Sequence, residues 1–371
     1  MKHNISITPT TNSRLPELDF EKLQFGRTFT DHMFVVDYED EKWNNPRIVP
    51  FGPFEMHPAA MVLHYGQAIF EGMKAFKNKE GKAVFFRPEM HAKRINLSAE
   101  RMCMPNLPED LFLEGLHRLV ALDQDWIPPK KGSALYIRPY MIAMDEFIGV
   151  RPSASYRFII FCCPVNSYYT KPVKLLVEQE FVRAIKGGVG EAKAAGNYAA
   201  ALLPDRLAKE KGYDQVMWTE APEFRKIQEI GTMNIFFVID GNVVTPKADG
   251  AILKGINRDS IIQLLKKEDY TVEERDIYVE ELVEAHERGI LQEAFGAGTA
   301  AVISQVSEIT YKDQKMVLPN LKEAKVTLGI KAKINGIRFG DVADTFAWIK
   351  PVQVNAVDLA VENNSMYQVS A

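Results

Sequence analysis

The sequence predicts a two-domain α+β protein, and three observations carry that prediction. With 371 residues, 46% of them hydrophobic, the chain is long and apolar enough for two cores. Residues 25 to 165 alternate strand-like runs with helical ones, as one mixed domain does. The polar, aromatic stretch Asn166-Ser167-Tyr168-Tyr169-Thr170-Lys171-Pro172 then interrupts the pattern, and its proline disfavours any helix through it. The expected division is a smaller N-terminal domain over 1–165, a linker over 166–172 and a larger C-terminal domain over 173–371.

Taken in order, Met1 to Leu15 is polar, rich in Thr and Asn and without an apolar stretch, so residues 1–20 read as a frayed arm with no secretory signal. Strands are expected at Met33 to Tyr38, Val84 to Phe86, Ala134 to Met141 and Tyr156 to Phe161, and helices at Met90 to Arg101 and Glu109 to Asp123. The second domain opens with a strand over Val173 to Glu178. A helix over about Asn197 to Lys211 follows, in which Pro204 fits poorly, with Gly212 as its stop. Strands follow at Gln215 to Trp218, Asn234 to Ile239 and Asn242 to Val244, the last two joined by the hairpin signal Asp240-Gly241. Over Asp259 to Lys267, Ile261, Leu264 and Leu265 recur at helical spacing. Gly255-Ile256-Asn257 is therefore expected just before a helix N-terminus, a position that suits a phosphate.

Composition removes several function classes. Lys plus Arg number 45 against 49 Asp plus Glu, a net charge of -4, so no basic excess draws a nucleic-acid backbone or an anionic membrane. Apolar runs such as Phe158 to Val165 fall far short of the roughly 20 residues of a membrane helix. Small-molecule partners and a cytoplasmic location are expected. The three cysteines, Cys103, Cys162 and Cys163, suit buried reduced thiols rather than a disulfide framework. Seven histidines stand without metal-ligand spacing, so no metal is expected.

Chemistry concentrates in Gly187-Gly188-Val189-Gly190-Glu191-Ala192-Lys193-Ala194-Ala195-Gly196-Asn197-Tyr198-Ala199-Ala200, where one lysine sits among residues too small to crowd it. A free lysine amine, with a pKa of about 10.4, is protonated at neutral pH, but in a tight, partly dry pocket it can lose that proton and attack a carbonyl. These residues alone equally admit a glycine-rich turn with Lys193 facing water.

A downstream motif decides between the two. Glu229, Asn234, Phe236, Thr245, Leu253, Gly255, Ile256 and Arg258 fall at the spacings of the signature of fold-type IV pyridoxal-phosphate enzymes. With the lysine loop, Phe25-Gly26-Arg27-Thr28-Phe29-Thr30-Asp31-His32-Met33 and Tyr65-Gly66-Gln67-Ala68-Ile69-Phe70-Glu71-Gly72-Met73-Lys74-Ala75-Phe76, the chain resembles the branched-chain amino-acid aminotransferases from about Phe25 to about Trp348. The resemblance implies a C-terminal domain with a barrel-like β core, a homodimer, and pyridoxal 5'-phosphate as cofactor. It implies that Lys193 is the catalytic Schiff-base lysine and that Glu229 faces the pyridine nitrogen. Tyr198 is implied to donate to the cofactor's phenolate oxygen, with the phosphate bound by the backbone N–H groups of Ile256 and Asn257, by Arg94 and by Thr299. Arg183 matches a position near the site, with its role open.

On the substrate side, Tyr136 and Arg138 lie two apart on a strand and so share a face. The resemblance puts them in the substrate site, with Phe25, Tyr65 and Phe70 on its aromatic side and the turn Gly298-Thr299-Ala300 facing the substrate carboxylate. Val150 matches a loop that reaches the neighbouring subunit's pocket. The implied reaction moves the amino group of L-leucine, L-isoleucine or L-valine to 2-oxoglutarate, giving L-glutamate. The same fold and cofactor also serve D-amino-acid aminotransferases and aminodeoxychorismate lyases, which lack the extended Phe25-to-Met33 and Tyr65-to-Phe76 pattern. A non-catalytic cofactor-binding protein would require Lys193 or Glu229 to be missing. Some vertebrate relatives carry a Cys-x-x-Cys after the Gly-Thr-Ala turn; Ala301-Val302-Ile303-Ser304 stands here, so no thiol switch is expected.

Overall fold

Residues 2–166, 171–299 and 302–353 are described by the computed structural model, which divides into Met1–Tyr168 with Asn335–Ala371, and Tyr169–Ile334. In the first unit nine strands make one sheet. Its order is Ser6–Ile7, Lys42–Pro50, His32–Glu39, Tyr156–Val165, Ala134–Ala143, Met73–Lys77, Ala83–Phe86 and Ile349–Pro351, with Ala68–Phe70 also paired to Ala134–Ala143. Alternation sorts the side chains by face. Leu135, Ile137 and Met141 join a core with Ile95, Ala99, Phe112, Leu116 and Leu119 of the helices Pro88–Arg101 and Glu109–Leu122. Tyr136, Arg138 and Tyr140 therefore stand on the face away from those helices. Gly115 lets helix and sheet approach, since a Cβ there would sit 2.7 Å from the Phe34 ring.

The first twenty residues are not a frayed arm. Ser6–Ile7 pairs in parallel with Lys42–Pro50, and Ile5 is buried in the core. The backbone N–H of Thr10 donates to Nε2 of His32 (2.9 Å), and Asp31 accepts from Ser13 Oγ (2.6 Å) and Arg14 N–H (3.1 Å). Composition concealed this because the anchors are one isoleucine and a few polar bonds to distant residues.

In the second unit a six-stranded ring closes: Ile227–Ile230, Gln215–Thr219, Val173–Val177, Val302–Tyr311, Leu291–Gly298 and Met233–Ile239, which pairs back to Ile227–Ile230. That closure is the expected barrel-like core, filled by Leu175, Met217, Ile227, Ile235, Phe237, Val306 and Ile309. Asn242–Pro246 hangs on Met233–Ile239 through the hairpin at Asp240 and Gly241, whose φ values of 49° and 78° suit Asp-Gly. The expected Asn197-to-Lys211 helix is two, Ala195–Ala200 and Leu202–Glu210. Pro204 falls in the first turn of the second, where an N–H has no intrahelical partner to lose.

Three further expectations are corrected. The C-terminal domain does not run from 173 to 371: residues from Asn335 belong to the first unit, where Ile349–Pro351 pairs with Ala83–Phe86 and Trp348 packs edge-on to Phe86. That return makes the first unit the larger by chain length. The helix after the hairpin is Ile256–Lys267, so Ile256 and Asn257 are its first residues and Gly255 its N-cap. Cys162 and Cys163 are buried, but Cys103 is exposed, because it follows the end of the helix Pro88–Arg101 at a left-handed φ of 53°.

Candidate functional site

The lysine loop is held by its own helix. Asn197, buried at the start of Ala195–Ala200, donates through Nδ2 to the carbonyls of Val189 and Ala192, both at 2.9 Å. Gly190 packs so closely on the Ala251 carbonyl and the Ala184 methyl that a Cβ has no room. Lys193 is half-buried, and its Nζ lies 2.6 Å from the hydroxyl of Tyr198, five residues on in the following helix.

Glu229 is 4% exposed and fixed at both carboxylate oxygens. Oε1 accepts from Asn234 Nδ2 (3.0 Å), its partner across the strand pair, and from the Leu253 N–H (3.0 Å). Oε2 lies 3.2 Å from Nε of Arg183, whose Nη2 donates to the Ala251 carbonyl. Arg183, Tyr198, Glu229, Thr232, Asn234 and Leu253 line one open pocket of about 430 Å³, solvent included. Tyr198, the residue beside Lys193, and the buried Glu229 thus border the same space.

Close by in the fold, the helix Ile256–Lys267 begins at Gly255 with no side-chain cap. Its first N–H groups have no intrahelical acceptors and carry the positive end of the helix dipole. Gly255 tolerates no side chain, because a Cβ would collide with Oδ1 of Asn234, the residue that holds Glu229. Asn257 Nδ2 donates to the Gly298 carbonyl (2.6 Å), which ties the half-buried Thr299 to the helix start. Ala300 lies outside the described residues. An amine, a buried carboxylate and an anion-binding helix end are the donor set that a flat, phosphorylated pyridine aldehyde requires.

The first unit carries the remaining candidates. Arg94 is buried on the helix Pro88–Arg101, with Nε 2.7 Å and Nη2 2.8 Å from the oxygens of Glu71. His91 Nδ1 lies 2.7 Å from the same carboxylate. Burial pushes the Glu71 carboxyl up, but Arg94 and His91 outweigh it and hold the group well below the usual carboxylate range. On the strand Ala134–Ala143, Arg138 Nη2 donates to the Tyr136 hydroxyl (3.0 Å). Its guanidinium lies 4.6 Å from the Phe70 ring centroid, and Phe25 meets Tyr136 edge-on at 5.2 Å. Phe25, Phe70, Tyr136 and Arg138 thus form one group. Tyr65 (39%) and Val150 (92%) stand exposed on the same unit.

Several residues in these groups escape sequence reading. Asn234, Leu253 and Gly255 belong to the ordered motif, which hinted at them, yet their work is to hold Glu229 and the helix start. Thr245 and Arg258 of that motif serve the fold: Thr245 Oγ1 donates to the Ile235 carbonyl (2.7 Å) and Arg258 Nη2 to the Pro246 carbonyl (2.8 Å). Glu71 and His91 gave no signal, because their pairing with Arg94 depends on how the helix packs against the connection between Ala68–Phe70 and Met73–Lys77. Among the described residues, no group of His, Cys, Asp or Glu could hold a metal ion, and no helix is long and apolar enough to cross a membrane.

Comparison with known proteins shows the family. The family model of amino-transferase class IV matches residues 68–309. Branched-chain-amino-acid aminotransferase 2 of Bacillus subtilis is 49% identical over 346 residues, 92% of this chain and 95% of that protein. A probable branched-chain-amino-acid aminotransferase of Staphylococcus epidermidis is 48% identical over 335 residues, 89% of this chain and 93% of its own length. Among solved structures, the branched-chain amino acid aminotransferase of Escherichia coli matches with a TM-score of 0.72 and 26% identity, over 87% of this chain and 99% of that one. A family match over most of the chain, with relatives near half identity along almost their full length, means that the chain belongs to the class IV aminotransferases, in their branched-chain-amino-acid aminotransferase group.

Proposed function

We propose that this protein transfers the amino group of L-leucine, L-isoleucine or L-valine to 2-oxoglutarate, reversibly and by a ping-pong cycle, with pyridoxal 5'-phosphate as cofactor. One observation supports the reading most: Tyr198, whose hydroxyl Lys193 touches, and Glu229 line the same pocket. When bound, the cofactor supplies an electron sink for the substrate α-carbon.

The chain's own groups do the rest. Lys193 would hold the cofactor, and its free amine would move a proton to and from the substrate α-carbon. Tyr198 lies within hydrogen-bond reach of that amine and suits a donor to the ring's phenolate oxygen. Glu229, fixed at both oxygens, suits the ring nitrogen, where a negative charge favours the protonated form. Arg183 holds Glu229 in place and is a positioning residue. The N–H groups of Ile256 and Asn257, with Thr299, suit the phosphate; Arg94 as a further phosphate ligand rests on the resemblance.

One substrate pocket has to accept an isobutyl group and a γ-carboxylate. Tyr136, Arg138, Phe25 and Phe70 combine aromatic surface with a hydroxyl and a cation, which suits both. Tyr65 and, on the other unit, Gly298-Thr299-Ala300 are proposed as substrate contacts on the resemblance alone. A homodimer is supported by the exposed apolar residues Leu63, Tyr65, Phe147, Ile148 and Val150 on one unit. Small molecules are the proposed partners, and the cytoplasm the proposed location.

The test is to incubate the purified protein with a panel of L- and D-amino acids plus 2-oxoglutarate and to measure glutamate. Leucine, isoleucine and valine are expected to lead the panel. D-Alanine exceeding L-leucine would overturn the branched-chain reading.

A further inference from the structure

We propose that Lys74 is a second reader of the acidic substrate's side-chain carboxylate, acting beside Arg138. The inference rests on the reading above and sharpens it, since it names the residue that lets one pocket take both an acid and an aliphatic group.

Register carries the argument. Lys74, on Met73–Lys77, lies directly opposite Tyr136 in the antiparallel ladder, and Cys163 lies opposite Tyr136 on its other side. Directly opposed residues share a face, and Arg138, two residues from Tyr136, shares it as well. The alternate residues Met73, Ala75, Leu135, Ile137 and Cys162 pack in the helix-covered core. Lys74, Tyr136, Arg138 and Cys163 therefore stand together on the face away from those helices. Gly72 leaves the space that the Tyr136 hydroxyl occupies. Arg138 Nε is buried and has no acceptor among the described residues.

Charged and titratable groups near Lys74 come from several elements packed there. Tyr136 and Arg138 come from the neighbouring strand and Cys163 from the next one. Arg338, at the end of the helix Lys325–Phe339, lies 4.4 Å over Phe86 and 5.6 Å over Phe76 on this side of the sheet. Burial first, then the charge of Arg338, push the Lys74 amine down to about 7. Burial also raises Cys163, against smaller opposing effects of Gly26, Arg138 and Lys74, so it remains a thiol.

An amine poised near neutrality has a conditional charge. A γ-carboxylate brought beside it draws a proton on and pairs with the ammonium; an isobutyl group leaves it neutral, and no uncompensated charge is buried. A permanent second cation would disfavour the aliphatic substrate.

The experiment uses the holoenzyme and two unreactive probes, glutarate and 4-methylvalerate, titrated calorimetrically near pH 8 in buffers of different ionisation enthalpy. Glutarate binding to the wild type is expected to take up protons and 4-methylvalerate binding to take up far fewer. Lys74→Met should lose the uptake and weaken glutarate relative to 4-methylvalerate by about tenfold or more. Lys74→Arg, always charged, should recover glutarate binding without the uptake. Equal weakening of both probes, or uptake persisting in Lys74→Met, overturns the role of Lys74 alone. A wild type that uses leucine yet neither binds glutarate nor aminates 2-oxoglutarate overturns the underlying reading, and this inference with it.

Discussion

Nε of Arg183 lies 3.2 Å from Oε2 of Glu229, and both side chains are buried. The other oxygen of Glu229 is held by Asn234 and by the Leu253 N–H. One strand and two loops thus converge on one carboxylate and set its position. A solvated surface glutamate would need none of this support.

Glu229→Gln is expected to keep the cofactor but slow both half-reactions by about a hundredfold or more, because a neutral amide cannot favour a protonated ring nitrogen in the same way. Single-turnover spectra with leucine and with glutamate should show comparable losses. Turnover at the wild-type rate would refute the role.

Arg94→Ala is expected to lower stability by about 3–5 kcal/mol, since it strands the fully buried Glu71 without its main partner. Replacing both residues, Glu71→Gln with Arg94→Met, should recover part of the loss. The Glu71 carboxyl is held below its unfolded value, so its contribution is present above the ordinary carboxylate range and fades as the pH falls through the folded value. Urea unfolding of the wild type and the two variants checks this, and an unchanged midpoint in Arg94→Ala would contradict it. Cofactor loss on dialysis of a still-folded Arg94→Lys would separately support phosphate contact.

Arg138→Ala is expected to reduce kcat/KM for glutamate and 2-oxoglutarate at least tenfold more than for leucine, because a γ-carboxylate in an apolar pocket needs a partner and an isobutyl group does not, a difference of about 1.5–3 kcal/mol. Equal losses for both substrates would mean that Arg138 supports the fold instead.

The depressed Lys74 amine has a stability signature as well. Between about 7 and the ordinary lysine value the unfolded chain binds more protons than the folded one. Wild-type stability therefore carries a component that rises with pH across this window, and Lys74→Met should lack it. Parallel urea midpoints for the two proteins from pH 7 to pH 10 would contradict the shift.

Much of the site was legible in the sequence because its parts are local. Lys193 and Tyr198 lie five residues apart, and Glu229, Gly255 and Ile256 keep fixed offsets within one motif. What could not be read depends on strand register and chain return. The ion pair of Arg183 with Glu229 forms only when the barrel closes, and Lys74 joins Arg138 only when Met73–Lys77 pairs in one register with Ala134–Ala143. The strand Ile349–Pro351 is too short to be read from alternation, so the return of the chain to the first unit stayed hidden. The break at Ala201 left Pro204 unexplained until two helices replaced one.

The central claim is that Lys193 carries the cofactor, and borohydride reduction of the purified holoenzyme followed by peptide mass mapping tests it most directly. The account predicts a yellow protein that bleaches on reduction, with the pyridoxyl mass on the peptide that contains Lys193. The pyridoxyl mass on any other lysine, with Lys193 unmodified, would contradict it.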